Sequence, residues 1–109
     1  MKYSIKTIPQ FDKQFKRLAK KYPSFRSDFT EFIKSLREDP TQGTPLGQNC
    51  FKIRIAISSK GKGKSGGARA ITNVVISEKN IYLLSIYDKS EKENLSDKEL
   101  YDLLKGIPK

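Results

Sequence analysis

The sequence predicts an α+β domain in the order β-α-α-β-β-β-α. The expected architecture is a mostly antiparallel four-stranded sheet with an N-terminal helical hairpin packed on one face and a C-terminal helix. Three observations carry this expectation. Two apolar stripes of helical period precede Pro40, three runs rich in β-branched and aromatic residues follow Asn49, and a helix-start signature stands near the C-terminus.

Residues 2–8 alternate, with Tyr3 and Ile5 on one side, as in a half-buried strand. Thr7 and Pro9 supply start signals for a helix, in which Phe11, Phe15, Leu18, Ala19 and Tyr22 share one stripe opposite lysines and arginines. Pro23 stops it. Phe25, Phe29, Phe32, Ile33 and Leu36 repeat the spacing, with Ser24 as the expected cap, so two helices of similar length form a hairpin. Asp39-Pro40 ends the second helix. Thr41 to Asn49, with Gly43, Pro45 and Gly47, reads as an ordered turn-rich loop. In Phe51 to Ile57 the odd positions are apolar, which puts Lys52 and Arg54 together on the opposite face of a strand. Ser58 to Gly67 reads as a flexible basic loop. Arg69 to Ile76 and Asn80 to Tyr87 read as a hairpin around Glu78-Lys79. Ser96 to Glu99 fits a capping box, Leu100, Leu103 and Leu104 give a helical stripe, and Gly106 and Pro108 end it. There is no repeat and no linker, so residues 1–109 are expected to form one domain.

Composition narrows the function. Against 12 acidic residues stand 22 Lys and Arg, a formal charge of +10, which on a body this small favours a polyanionic partner, nucleic acid first. The absence of histidine removes His-based acid/base and nucleophile schemes and most transition-metal sites, so no metal site and no cofactor is expected. With one cysteine, no apolar run of roughly 18 residues and no apolar signal core at the start, a cytoplasmic protein without membrane contact is expected.

Chemistry must then come from Lys, Arg, Tyr, Asp or Glu. Internal transesterification of RNA needs the 2′-hydroxyl proton removed, the phosphoryl oxygens neutralised and the leaving 5′ oxygen protonated. Cations serve all three, with Lys able to exchange a proton and Arg suited to holding phosphate. Lys52, Arg54 and Arg69 are the candidates, since a strand and its hairpin neighbour bring them onto one surface, where Arg69 is expected to project. A charged sheet face that merely confers solubility fits the same spacing. Gly63-Lys64-Ser65 fails as a phosphate-binding P-loop, because the position five before Gly63 is Ser58 and strand is expected to follow. Lys60, Lys62 and Lys64 instead read as a basic flap that gathers RNA phosphates. Tyr82 and Phe51 read as core. Tyr87, at a strand end beside Asp88 and Lys89, is a candidate for the open face.

Phe51 to Ala56, Gly61 to Arg69 and Tyr82 to Glu91 together resemble the HigB-type branch of the RelE/ParE toxin superfamily. Tyr22-Pro23, Asp39-Pro40 and Pro45-Leu46-Gly47 extend the resemblance along the chain. It implies a RelE-like fold, metal-independent cleavage of messenger RNA on the ribosome with 16S rRNA contacts, and neutralisation by a cognate antitoxin. It assigns catalysis to Lys52, Arg54 and Arg69, and adds Lys89 after the last strand. Relatives of the RelE branch carry a Tyr in the C-terminal segment where Leu95 stands here, which leaves Tyr87 as the nearby substitute. A gyrase inhibitor of the ParE kind and a non-catalytic nucleic-acid or partner-binding module share the fold and remain the alternatives.

Overall fold

The computed structural model describes residues 3–61, 63–92 and 94–108. Strand β1 (Ser4–Thr7) leads into helices α1 (Pro9–Lys21) and α2 (Phe25–Glu38), then β2 (Thr44–Gly47), β3 (Cys50–Ile55), β4 (Ala68–Val75), β5 (Asn80–Asp88) and α3 (Asp97–Leu104). The strands form one five-stranded sheet in the order β1-β5-β4-β3-β2. The β1/β5 pair is parallel and the other pairs are antiparallel.

This corrects the expected four strands. The segment read as a loop contains β2, paired with β3 at the sheet edge through Thr44↔Lys52 and Pro45↔Phe51. Pro45 hides the strand from sequence reading because proline lacks a ladder donor, yet an edge strand has one side that needs none. Gly43, just before β2, has φ +100°, and a Cβ there would lie 2.5 Å from the Lys52 carbonyl oxygen. The close β2/β3 approach therefore requires glycine.

The helical hairpin is held by its phenylalanines. Phe15 lies 4.8 Å, ring to ring, from Phe29 and 5.5 Å from Phe25, while Phe11 and Phe32 each meet Phe29. Burying each such ring stabilises the fold by roughly 1.5–3 kcal/mol. Pro9 begins α1 as expected. Ser24 does stand at the α2 N-cap, but its hydroxyl makes no cap hydrogen bond. It donates to Asp28 and accepts from the Ser59 amide, stapling the hairpin to the segment after β3. The capping box at Ser96 and Glu99 forms as the sequence predicts.

One irregularity decides which side chains reach which face. Ile71 pairs with Ser85 but Thr72 pairs with Leu83, so Leu84 is an extra residue on β5. Alternation is reset there. Tyr82, Ser85 and Tyr87 thus share one face, and Ile81, Leu83, Ile86 and Asp88 the other. Beyond Leu83 the outer edge of β5 has no strand neighbour among the described residues, and the Gln14 side-chain oxygen accepts from the Ile86 amide and the Ser85 hydroxyl instead. Helices α1 and α2 cover the Ile53, Ile55 and Ile86 face. The short α3 covers part of the other through Leu100 and Leu103, and all belong to one continuous hydrophobic cluster. Among the described residues no helix is long and apolar enough to cross a membrane.

Candidate functional site

On the face that α3 only partly covers, β3 presents Lys52 and Arg54. The β3/β4 register sets Arg54 directly opposite Arg69, and the β4/β5 register sets Arg69 opposite Tyr87. Directly opposed residues in an antiparallel pair have Cβ atoms about 5 Å apart, and like charges so placed disfavour folding. Two arginines in that relation lose their penalty once an anion sits between them. Lys52, Arg54, Arg69 and Lys89 surround one hollow of ≈300 Å³, completed by Thr44 and Asn94. Among the described residues none of these four cations has a carboxylate partner in an ion pair.

Arg69 differs from the exposed side chain the sequence suggests. It is 5% exposed. Its guanidinium donates to the carbonyl oxygens of Lys64 at 3.0 Å, Ala68 at 3.0 Å and Ser65 at 3.2 Å. The turn Lys64–Gly66 curls under the side chain, so Arg69 braces the loop while its remaining donors border the hollow. Burial, then the charge of Arg54, lower its pKa from the usual arginine value. It nevertheless stays charged, as arginines in proteins do. The two arginines have different duties: Arg54 is exposed and held only by its strand, whereas Arg69 is fixed in place.

Tyr87 stands on the site face, opposite Arg69, but it is buried rather than open. Its hydroxyl has no hydrogen-bond partner among the described residues. Burial raises its pKa, with Glu99 acting in the same sense against the opposing influence of Arg69. The phenol therefore stays protonated and can donate a hydrogen bond. Leu95 and Phe51 are half-buried against the core, and Tyr82 is buried in it.

The three loop lysines part company. The exposed Lys64 borders two hollows that share Arg54 with the cationic one. Lys62 lies outside the described residues. Lys60 is a correction: its ammonium donates to Asp88 at 2.9 Å, with its side chain 12% exposed, on the helical-hairpin side of the sheet. Asp88 also accepts from the Tyr22 hydroxyl and from the Ser90 amide and hydroxyl. Burial opposes the charge on Asp88. The hydrogen bonds from Lys60, Tyr22 and Ser90 outweigh it and hold the carboxyl well below the usual range. Nor is the loop simply open, since Ser58 donates through its amide and hydroxyl to Asp28. Sequence reasoning missed Thr44 and Asn94. Thr44 came with the unrecognised strand β2, and Asn94 sits in a charged run that carries no periodic signal.

The geometry is that of a cation-lined hollow on the open face of a small, strongly basic α+β body. Comparison with known proteins makes the class specific. The model of the family described as "RelE toxin of RelE / RelB toxin-antitoxin system" matches residues 11–107, and the chain belongs to that family. The fold is similar to that of the Escherichia coli toxin RelE. A free RelE mutant with two arginines replaced by alanine superposes with TM-score 0.65 at 15% identity, covering 99% of this chain and 100% of that one. The isolated toxin gives 0.61 at 14% identity, covering 96% and 99%. The same mutant in complex with a peptide of its antitoxin gives 0.61 at 15% identity, covering 100% and 98%.

Proposed function

We propose that this toxin is a metal-independent endoribonuclease of the HigB-type branch that cuts messenger RNA in translating ribosomes, working in the cytoplasm until a cognate antitoxin covers it. The observation that carries the reading is the hollow shared by Lys52, Arg54, Arg69 and Lys89, four cations with no carboxylate lining it among the described residues. A structural ion-pair network would be balanced. This one is completed by a phosphodiester.

In the proposed reaction Arg54 and Arg69 grip the non-bridging phosphoryl oxygens, whose charge grows as the 2′-oxygen attacks phosphorus. Lys52 and Lys89 are the two members able to exchange a proton. One takes it from the 2′-hydroxyl while the other returns one to the departing 5′-oxygen, leaving a 2′,3′-cyclic phosphate. Tyr87, buried opposite Arg69 with a hydroxyl that has no partner among the described residues, offers a neutral hydrogen-bond donor on the same face. Exposed lysines, Lys64 among them, contact 16S rRNA and the message backbone.

Expression without the antitoxin should arrest growth by stopping translation, and primer extension on a translated message should show cuts tied to reading frame. Continued translation with inhibited supercoiling would favour the gyrase-inhibitor reading and overturn this one.

A further inference from the structure

The cationic hollow does not end at the sheet. It continues past Arg54 as a trough of three connected hollows, of ≈300, ≈270 and ≈210 Å³, all bordered by Arg54, the last two also by Gln42 and Lys64. The final hollow lies between α2 and the end of β3, against Glu31, Phe32, Ser35 and Ala56, and differs in character from the first. The first is walled by four cations, the Thr44 hydroxyl and the Asn94 amide. The last has apolar surface from Phe32, Ile55 and Ala56 and a rim of directional hydrogen-bonding groups.

We infer that this α2/β3 hollow is a base-recognition subsite, taking one unpaired nucleobase of the RNA next to the phosphate held at Arg54. The inference rests on the endoribonuclease reading above and adds a determinant of where the enzyme cuts. Size admits one planar heterocycle, since ≈210 Å³ falls below the roughly 300–1,000 Å³ of pockets that take larger ligands. Chemistry points to the class of base. Gln42 spends its amide donors on the Ser35 hydroxyl at 2.8 Å and the Asp39 carbonyl at 3.2 Å, which turns its oxygen into the group left to accept. Glu31 is acceptor-only as a carboxylate, and among the described residues its one partner is the exposed Lys34 at 3.5 Å. Asp28, by contrast, is already engaged by Ser24 and Ser58. Two acceptors on the rim favour adenine, guanine or cytosine, whose exocyclic amines donate. Uracil offers one N–H flanked by two carbonyl oxygens that face the carboxylate unfavourably.

Two substitutions outside the cationic hollow test this. Ala56→Leu fills the subsite, and Glu31→Gln gives its rim a donor that uracil can accept. Wild type and both variants are supplied with ribosomes translating a message that samples all four bases around each codon, and cut positions are mapped by primer extension beside a melting curve for each protein. Wild type should cut with uracil disfavoured at one fixed position flanking the scissile bond. Ala56→Leu should cut about tenfold less and lose that bias, in keeping with the value of one base contact. Glu31→Gln, at an exposed position, should cut with the bias against uracil relaxed, and it decides the matter should Ala56→Leu fail to fold. Variants that cut with the wild-type base profile overturn the subsite and leave the endoribonuclease reading standing. A wild-type protein that cuts nothing removes both.

Discussion

Two charged clusters sit back to back at one end of the sheet, separated by a single step along β5. Asp88 points toward the helical hairpin, where Lys60, Tyr22 and Ser90 converge on its carboxylate. Tyr87 points the other way, toward Arg69 and the hollow it shares with Lys52, Arg54 and Lys89. The first cluster has its anion built in, and among the described residues the second has none. Cations drawn from the same basic chain are thus divided into those paired with a buried carboxylate and those that, in the proposed function, bind RNA. Net charge alone could not have told them apart.

The contrast breaks most visibly at Asp88. Asp88→Asn should leave the Lys60 ammonium poorly compensated in a buried place and lower stability by about 3 kcal/mol, as removal of one partner from a buried pair does. Urea unfolding at neutral pH measures it. The folded Asp88 carboxyl binds its proton less readily than an unfolded one, so its contribution is complete above the ordinary Asp range near pH ~4 and drains away as pH falls below that toward the depressed folded value. Wild type should therefore lose stability on acidification through this range, and Asp88→Asn should lose less. Equal acid sensitivity of the two proteins would show that the carboxylate is not the acid-labile clasp.

On the opposite side the effects should fall on activity. Arg54→Ala should reduce cleavage by about a hundredfold, the cost of one preorganised charge stabiliser, with stability changed by no more than about 0.5 kcal/mol because the side chain is exposed. Relief of repulsion from Arg69 should, if anything, help folding. Arg69→Ala should lose both properties, since three carbonyl contacts vanish with it. About 1–3 kcal/mol of stability should go with the activity. Arg69→Lys should recover only part of either, as a point charge cannot make the forked contacts. Single-turnover cleavage alongside melting curves separates the cases. An Arg54→Ala protein as active as wild type would reduce the hollow to a solubility device.

These two clusters also mark where sequence reading succeeds and fails. Lys52 and Arg54 were legible because strand alternation alone puts both on one face, and Arg69 because a hairpin must return beside them. The helices were legible from their phenylalanine stripes, and α3 from its capping box. The burial of Tyr87 was not, because it depends on the extra residue Leu84 and on where the C-terminal segment packs. The exposure expected of Arg69 failed for a similar reason: the glycine-rich loop folds back beneath it. Gly67 shows how close that return is, since a Cβ there would lie 2.0 Å from the Ile55 carbonyl oxygen. Lys60 looked equivalent to Lys64 because both sit in a run of alternating lysine and glycine. Only the tertiary fold brings Asp88 to one of them.

The smallest expected effect gives the cleanest separation of the two lysines. RNA binding by a cationic surface releases counterions, and for single strands log K falls with log salt with a slope of roughly −0.7 per neutralised phosphate. Lys89 borders the uncompensated hollow, so Lys89→Ala should make the slope shallower by about 0.7 and weaken binding most at low salt. Lys60 is already neutralised by Asp88, so Lys60→Met should leave the slope unchanged although it removes the same formal charge. Its cost should appear in the melting temperature instead. The measurement is a fluorescence titration of a short labelled single-stranded RNA at several salt concentrations, with Asp88 intact in both variants. Should the two substitutions change the slope equally, phosphate binding would be reading total charge, and the division of cations between the two faces of the sheet would have no bearing on RNA.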